Sequence, residues 1–358
     1  GGVMFKRLLL LTVLLVSFKA AALATPVSVY GAWHCGNDAC TWASVRDMTD
    51  FDVKNRWLVD RGDGTGLPSV NVVVLSFVQP LKLLNKTTDA QTLNGVPRGM
   101  TPAVVSYFKS KGVRVMLSIG GITYVDAWNQ ALAANATQLG LNAAQVAQSL
   151  GVGIEIDYEE NTSPNLTGLQ AFINAYRSQL PYDASGANHA ARLTIDLAAG
   201  DRWLIALTRK ATADWLNTTT PVLDYANAMV GSRQPTNAAA AQADWQEHID
   251  GKTQYSPPIP PLAAAKFTGA LYIVTGQSPC PECVNFNTSL QKSTGTYVQT
   301  VQTKTGTTNG MLGYMFWASE CPSTRRICTT PPNTCEGGVG AGAAAYNIPI
   351  PMPALRQQ

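Results

Sequence analysis

Short β-branched runs recur along this chain and alternate with longer segments in which apolar residues return every three or four positions. Eight runs are predicted as strands: Val27–Ala32, Val70–Phe77, Val113–Ile119, Val152–Tyr158, Leu193–Leu197, Tyr225–Val230, Ala270–Val274 and Gly313–Trp317. The helix-like connectors include Pro102–Lys111, Tyr124–Leu139, Leu166–Gln179 and Ala238–Asp250. Alternation of strand and helix favours a parallel sheet.

Eight strand–helix units favour an α/β fold of the (β/α)8 TIM-barrel type, in which functional groups lie at the carboxyl ends of the strands. A doubly wound open sheet is the alternative. No Gly-rich phosphate loop follows the first predicted strand, which weakens that alternative.

The 358 residues are 46% hydrophobic and 14% charged, and no internal repeat is evident, so one domain over residues 25–358 is expected. The segment Cys321–Gln358 is predicted to form an irregular cap. The net charge of +3 comes without a run of Lys or Arg, which argues against a nucleic-acid partner.

Residues 1–24 have the parts of a secretory signal peptide: Lys6 and Arg7, the apolar run Leu8–Val16, and Ala22-Leu23-Ala24. Gly1-Gly2-Val3 precede Met4 and are left out of the fold prediction. The apolar run is shorter than the ~20 residues that a bilayer-spanning helix needs. We therefore expect a secreted monomer that does not enter a membrane.

Seven cysteines lie in segments rich in Gly, Pro, Asn or Thr, and in an exported chain they are expected to form loop disulfides, Cys35 with Cys40 among them. Zinc binding at Cys280 and Cys283 is the alternative. It would need a second ligand pair, and none of the three histidines has ligand spacing. No metal and no cofactor is predicted.

The segment Gly151–Glu160 carries acids at alternate positions, so in a strand Glu155, Asp157 and Glu159 face one way and the residues between them face the other. In an arbitrary strand such acids would face water. A barrel strand has no watery face, so the carboxyl groups are expected to enter the lumen. Burial and like charge favour the neutral form there, and we expect the outermost acid, Glu159, to hold a proton.

This segment resembles the glycoside hydrolase family 18 signature Asp-Gly-x-Asp-x-Asp-x-Glu, aligned over Val152–Glu159. The resemblance implies that Glu159 is the catalytic acid, that Asp157 orients the substrate's N-acetyl group, and that Glu155 tunes Asp157 through a shared proton. Family 18 enzymes use the 2-acetamido oxygen of the substrate as the nucleophile and retain the anomeric configuration.

Other segments between about Val27 and Ser319 are similar to family motifs. Ser118-Ile-Gly120-Gly121 resembles the motif that ends the third strand, Met229 corresponds to a methionine that lines the cavity, and Trp317 to a tryptophan that forms the floor of the sugar subsite. The resemblance implies that Ser118, Gly120, Gly121, Met229, Trp317 and Tyr30, on the first predicted strand, bind the substrate.

The chain also departs from the family pattern. Val152 and Glu155 replace the first two aspartates of the signature. Gly231 stands where the family often has a tyrosine that donates a hydrogen bond to the acetamido oxygen, and Asn227 and Gln234 are the candidates to replace that donor.

The resemblance implies a hydrolase that cleaves β-1,4-linked N-acetylglucosamine in chitin or its oligosaccharides. Two alternatives stay open: an endo-β-N-acetylglucosaminidase that acts on N-glycans, and a chitinase-like lectin that binds sugar without cleaving it. The retained Glu159 favours an enzyme, and the missing tyrosine favours the lectin.

Overall fold

The computed structural model describes residues 24–36, 39–231, 238–272, 288–302, 304, 309–320 and 338–355. Within them the strands, in chain order, are β1 (Val29–His34), β2 (Val72–Val78), β3 (Thr92–Leu93), β4 (Val96–Pro97), β5 (Arg114–Gly120), β6 (Gly153–Asp157), β7 (Leu193–Leu197), β8 (Tyr225–Ala228), β9 (Phe267–Tyr272) and β10 (Gly313–Ser319).

Eight of these strands form a closed parallel barrel in the order β1-β10-β9-β8-β7-β6-β5-β2. The first and last strands close it, with Val29 beside Gly313 and Trp33 beside Trp317. This closure excludes the doubly wound open sheet and confirms the (β/α)8 prediction. Strands β3 and β4 form a separate two-stranded antiparallel sheet.

The helices in the described residues are α1 (Met48–Val59), α2 (Pro80–Asn85), α3 (Pro102–Lys109), α4 (Val125–Leu150), α5 (Leu166–Gln179), α6 (Ile205–Lys210), α7 (Ala238–Asp250), α8 (Thr288–Thr300) and α9 (Gly338–Ala345). Short 3₁₀ helices cover Ile122–Tyr124, His189–Ala191 and Ala264–Lys266, and a π-helical turn, Ala211–Leu216, continues α6.

Each predicted strand overlaps an observed barrel strand, and the bounds of β7, α5 and α7 match the prediction. Helix α4 extends eleven residues beyond its predicted end at Leu139. This helix includes Gly140, where a Cβ would lie 2.3 Å from the Phe172 carbonyl oxygen of α5. The glycine therefore lets two helices pack closely rather than ending one of them.

Side chains of the barrel strands alternate between the lumen and the layer beneath the helices. On β1, Val29 and Trp33 belong to the lumen cluster, whereas Tyr30 packs outward against Tyr314 and Phe316, with ring centroids 5.3 and 5.0 Å away. The Tyr30 hydroxyl donates to the Val339 carbonyl of α9 at 2.7 Å. The prediction that Tyr30 binds substrate is wrong, because its side chain lies on the opposite side of β1 from the lumen-facing side chain of Trp33.

The ends of the chain differ in how far they can be compared with the predictions. Residues 1–23 of the predicted leader lie outside the described residues. The tail is not irregular throughout, since α9 buries Val339 and Ala343.

Cys35 and Cys40 form a disulfide as predicted, and the other five cysteines are outside the described residues. Among the helices that are described, none has the length and apolarity required to cross a membrane.

Tyr30→Phe tests the outward assignment of this side chain. Removing the hydroxyl deprives the Val339 carbonyl of a buried donor, so we expect the free energy of unfolding to fall by about 1 kcal/mol in urea denaturation. Tyr107→Phe is the control: its half-buried hydroxyl donates to Asp52 at 2.9 Å, and water can take its place there. A loss no larger than that of the control would contradict the assignment.

Candidate active site

Strand β6 directs its acids into the lumen and its apolar residues outward, as the alternation predicts. Glu155 is fully buried and Asp157 is 2% exposed. Ile156 and Tyr158 face the helices, where the Tyr158 ring lies 5.5 Å from that of Trp128. One strand therefore serves both the helix-facing core and the site.

Glu155 accepts hydrogen bonds from three residues on three other strands. Trp33 Nε1 lies 3.0 and 3.1 Å from its two carboxyl oxygens, Ser118 Oγ lies 2.7 Å from Oε1, and Asn227 Nδ2 lies 2.8 Å from Oε2. Asn227 is itself oriented by the Thr268 hydroxyl, which donates to its Oδ1 at 2.7 Å. These donors compensate a carboxylate for the loss of water.

Burial raises the pKa of Glu155, and the hydrogen bonds from its neighbours act in the opposite direction. The side chain shares its remaining hydrogen bond with Asp196 of β7. The expectation that Glu155 and Asp157 share a proton is therefore not met. Ser118 was predicted to bind substrate, but its hydroxyl group donates a hydrogen bond to Glu155.

Asp157 and Glu159, at the carboxyl end of β6, share a hydrogen bond. Burial raises the pKa of Asp157 well above its ordinary value, and the charges of Glu159 and Glu155 add to this effect. Burial also raises the pKa of Glu159, but the bond from Asp157 opposes that rise. Two carboxyl groups joined by a hydrogen bond need one proton between them, and burial of both groups favours keeping that proton on the pair.

Asp196 is a fourth carboxyl group of the site and is missing from the sequence prediction. It is 2% exposed, and burial, followed by the charges of Glu155 and Asp157, raises its pKa well above the ordinary value. The signal was present in the sequence: Asp196 is the only charged residue within the apolar strand Leu193–Leu197. If the alternation of inward and outward side chains had been applied to β7 as well as to β6, it would have placed Asp196 in the lumen.

The acids border an open cavity of about 330 Å³ at the carboxyl ends of the strands. Its lining combines carboxyl groups with aromatic and apolar side chains: Trp33, Phe77, Ile122, Asp157, Glu159, Asp196, Ala198, Ala199, Trp203, Met229, Val230 and Trp317. Trp317 stacks near Phe77, with ring centroids 6.0 Å apart and an interplanar angle of 28°, and Trp33 packs edge-on to Trp317. The structure thus brings Met229 and Trp317 together with Asp157 and Glu159.

Gly120 and Gly121 support the site from behind rather than lining the cavity. A Cβ on Gly120 would lie 1.9 Å from the Asp157 carbonyl oxygen and 2.3 Å from Trp128 Nε1. That carbonyl accepts from Trp128 Nε1 at 3.0 Å and from the Gly121 amide at 3.1 Å. The two glycines therefore let β5 approach the backbone of Asp157 and hold it.

Of the two candidates for the missing tyrosine, the one that the structure describes, Asn227, does not line the cavity. Asn227 is buried deeper in the lumen and donates to Glu155, and Gln234 lies outside the described residues. A Cβ on Gly231 would lie 2.6 Å from the Ala199 Cβ and 3.0 Å from Asp244 Oδ2. With the backbone in this position, no larger residue fits at 231 in the same direction.

A larger depression of about 670 Å³ lies elsewhere, beside α2, β4 and α4, and contains no acidic residue, histidine or cysteine in its lining. It therefore offers no carboxyl, imidazole or thiol group. Across the described ranges, no group of three or more His, Cys, Asp or Glu residues could hold a metal ion.

Gly120→Ala tests the close approach of β5 to Asp157. The methyl group would overlap a backbone carbonyl at φ +120°, and we expect a loss of about 3 kcal/mol in the free energy of unfolding. Gly64→Ala is the control, because Gly64 has φ +84° but no atom within 4 Å of the point that a Cβ would occupy. Equal losses in urea denaturation would show that backbone conformation alone, and not the contact, is responsible.

The raised pKa of Asp196 predicts how stability depends on pH. A carboxyl group that binds its proton more tightly when folded stabilises the protein below its unfolded pKa, and that contribution is lost as the pH rises through the folded pKa. Between about pH 4 and about pH 8, the stability of the wild type should therefore fall relative to that of Asp196→Asn, which cannot ionise.

Asp63→Asn is the matched control for this pH series. Asp63 is exposed, and the Thr65 hydroxyl lowers its pKa, so between about pH 5 and about pH 8 its variant should follow the wild-type curve. If the difference between wild type and Asp196→Asn stays constant over the same range in thermal or urea unfolding, Asp196 is not protonated in the folded protein.

No protein-family model and no curated protein sequence matches the chain. Solved structures do match it. A chitinase from Rhizomucor miehei is 16% identical, with 73% of this chain and 91% of that one aligned at a TM-score of 0.48. A family 18 chitinase from Pseudoalteromonas aurantia is 15% identical over 71% and 88% of the two chains, with a TM-score of 0.47.

A family 18 chitinase from Cycas revoluta, solved with allosamidin, is 12% identical over 84% of this chain and 97% of that one, with a TM-score of 0.46. All three of these solved structures are chitinases, and the likeness is one of fold. At these identities and TM-scores it decides nothing about activity, and we infer the chemistry of the site from this chain's own residues.

Proposed function

We propose that this protein is a secreted chitinase-like glycoside hydrolase that cleaves β-1,4-linked N-acetylglucosamine by substrate-assisted, retaining catalysis. The observation that carries the proposal is the hydrogen-bonded pair Asp157–Glu159 at the edge of a cavity with aromatic walls. The leader-like segment 1–24 supports export. Glu159 acts as acid and base, and Asp157 orients the acetamido group.

The cavity has the surfaces that a pyranose ring requires. A sugar presents C–H groups on its faces, which pack against aromatic rings, and hydroxyl groups at its edges, which need polar partners. Trp317, Phe77 and Trp33 supply the aromatic surface, and Asp157, Glu159 and Asp196 supply the polar one.

Substrate binding itself moves the proton to the residue that needs it. In the free protein Asp157 and Glu159 share a hydrogen bond, which between two carboxyl groups requires one proton. An acetamido N–H that donates to Asp157 favours its carboxylate form, so the proton passes to Glu159. Glu159 is then a neutral acid facing the glycosidic oxygen, as general acid catalysis requires.

The chemical step then balances within the site. Glu159 gives its proton to the glycosidic oxygen while the C1–O bond breaks, and the acetamido oxygen bonds to C1 to form an oxazolinium ion. The Asp157 carboxylate stabilises that positive charge. Glu159, now ionised, takes a proton from water, the water oxygen attacks C1 and displaces the acetamido oxygen, and the configuration is retained.

Glu159→Gln tests the acid assignment. The amide keeps the shape of the side chain but has no acidic proton, so kcat on the N-acetylglucosamine tetramer should fall by roughly 10³-fold or more while affinity is kept. Glu160→Gln is the neighbouring control, since Glu160 bonds to Asn129 and to the Thr162 and Ser163 amides and does not line the cavity. Normal hydrolysis by Glu159→Gln would refute the assignment.

The substrate is tested by incubating the wild type with the tetramer and with a high-mannose glycoprotein, followed by mass spectrometry. Cleavage of the tetramer supports the proposal. Cleavage of the glycoprotein alone would indicate an endo-β-N-acetylglucosaminidase. The absence of Tyr at 231 keeps the lectin as a second candidate, and binding of the tetramer without cleavage of either substrate would establish it.

A further inference from the structure

Asp196 lines the cavity but is not part of the proposed acid–base pair, Asp157 and Glu159. Along the β6–β7 ladder the last paired residues are Ile156 and Ile195, so Asp157 and Asp196 are the next residues on the two strands. On its other side Asp196 pairs with Asn227 of β8. Adjacent residues at one level of a parallel sheet face the same side, so Asp196 lies beside Asp157 at the wall of the cavity.

The polar groups deeper in the lumen already have hydrogen-bonding partners. The Trp33 indole, the Ser118 hydroxyl and the Asn227 amide all donate to Glu155. Asp196, in contrast, is 98% buried and lines the cavity, and its Oδ1 has no hydrogen-bonding N–H or O–H group among the described residues. A buried polar atom without a partner is costly unless a ligand supplies one.

We propose that Asp196, as a neutral carboxylic acid, donates a hydrogen bond to the carbonyl oxygen of the substrate's 2-acetamido group and so takes the position of the donor that Gly231 cannot provide. The inference rests on the proposed function and names the residue that recognises the N-acetyl substituent. Asp157 accepts from the acetamido N–H, and its neighbour Asp196 donates to the C=O, so the two ends of one amide meet two adjacent carboxyl groups.

The proton needed for this bond is present. Burial and the charges of Glu155 and Asp157 raise the pKa of Asp196 well above its ordinary value, which favours the neutral form of its carboxyl group. In the free protein the proton is shared with Glu155. When Asp196 turns its O–H to the substrate, Glu155 keeps its donors from Trp33, Ser118 and Asn227, and no buried charge is left unsatisfied.

The contact determines orientation as well as affinity. An acetamido group held at both its N–H and its C=O cannot rotate freely, and its oxygen stays directed at the anomeric carbon that it attacks. The same pair of contacts selects against a sugar with a hydroxyl group at carbon 2, because that hydroxyl has no carbonyl oxygen for Asp196 to reach.

The test compares Asp196→Asn with Asp196→Leu. The amide is a neutral donor of nearly the same shape, whereas leucine has similar volume but no donor. Binding is measured by calorimetry with the N-acetylglucosamine tetramer in a Glu159→Gln background, which prevents turnover. We expect affinity to fall by roughly 10-fold or more in the leucine variant and by less than about 3-fold in the asparagine variant.

Two further variants keep the test decisive. Asp196→Ala replaces the leucine variant if thermal unfolding shows that the latter does not fold. Trp203→Phe removes the indole N–H of another lining residue while keeping an aromatic ring. If Trp203→Phe loses affinity as the leucine variant was expected to, and Asp196→Leu does not, then Trp203 is the donor and the proposal is overturned.

The outcomes separate this inference from the proposed function. If the wild type cleaves the tetramer but the asparagine and leucine variants bind it equally, the role of Asp196 is refuted and the hydrolase stands. If the wild type neither binds nor cleaves the tetramer, the proposed function itself fails. If the wild type binds without cleaving, the asparagine–leucine difference still decides whether Asp196 reads the acetamido group.

Discussion

The burial of four carboxyl groups in one barrel lumen is the constraint on which the rest of the site depends. Glu155, Asp157 and Asp196 are almost completely buried, and Glu159 is only partly exposed at the rim. Four charges so close together in a site of low polarity would destabilise the fold. The structure answers this by pairing the acids, Glu155 with Asp196 and Asp157 with Glu159, so that one proton serves each pair.

The two pairs are stabilised by different means. Indole, hydroxyl and amide donors of three other strands converge on Glu155 and favour its ionised form against the effect of burial. The extra methylene of a glutamate, where the family signature has an aspartate, lengthens the side chain that meets these donors. Asp157 has no such set, and its Oδ1 lacks an N–H or O–H partner among the described residues. The difference makes Glu155 a fixed support and leaves Asp157 free to respond to a ligand.

Much of the fold could be predicted from the sequence because it depends on local periodicity. The two-residue alternation along Val152–Glu159 gave the correct faces for the acids, and the alternation of strands with helices gave the barrel. Tyr30 was misassigned because a strand's parity relative to the lumen is set by its neighbours, and nothing in the residues around Tyr30 fixes it. The role of Gly140 in α4 likewise depends on its close approach to Phe172, which is remote in sequence.

The location of the protons was the part of the site that the sequence could not give. It depends on which carboxyl groups touch, and the contact between Glu155 and Asp196 joins two strands whose pairing register is known only from the fold. Asp196 itself could have been found, since an isolated acid in an apolar barrel strand must face either a partner or a ligand.

The pairing also explains how a ligand with a single amide could reorganise the whole cluster. A 2-acetamido group has one N–H and one C=O. In the proposal, the two neighbouring acids prefer opposite protonation states after binding: Asp157 is the acceptor and Asp196 is the donor. In the proposed mechanism, satisfying the first places the shared proton on Glu159, and satisfying the second draws the Asp196 proton away from Glu155, which its three donors continue to stabilise. In that mechanism the number of protons in the cluster is unchanged, so recognition of the substituent and protonation of Glu159 are one event, driven by hydrogen bonds rather than by uptake of a proton from solvent.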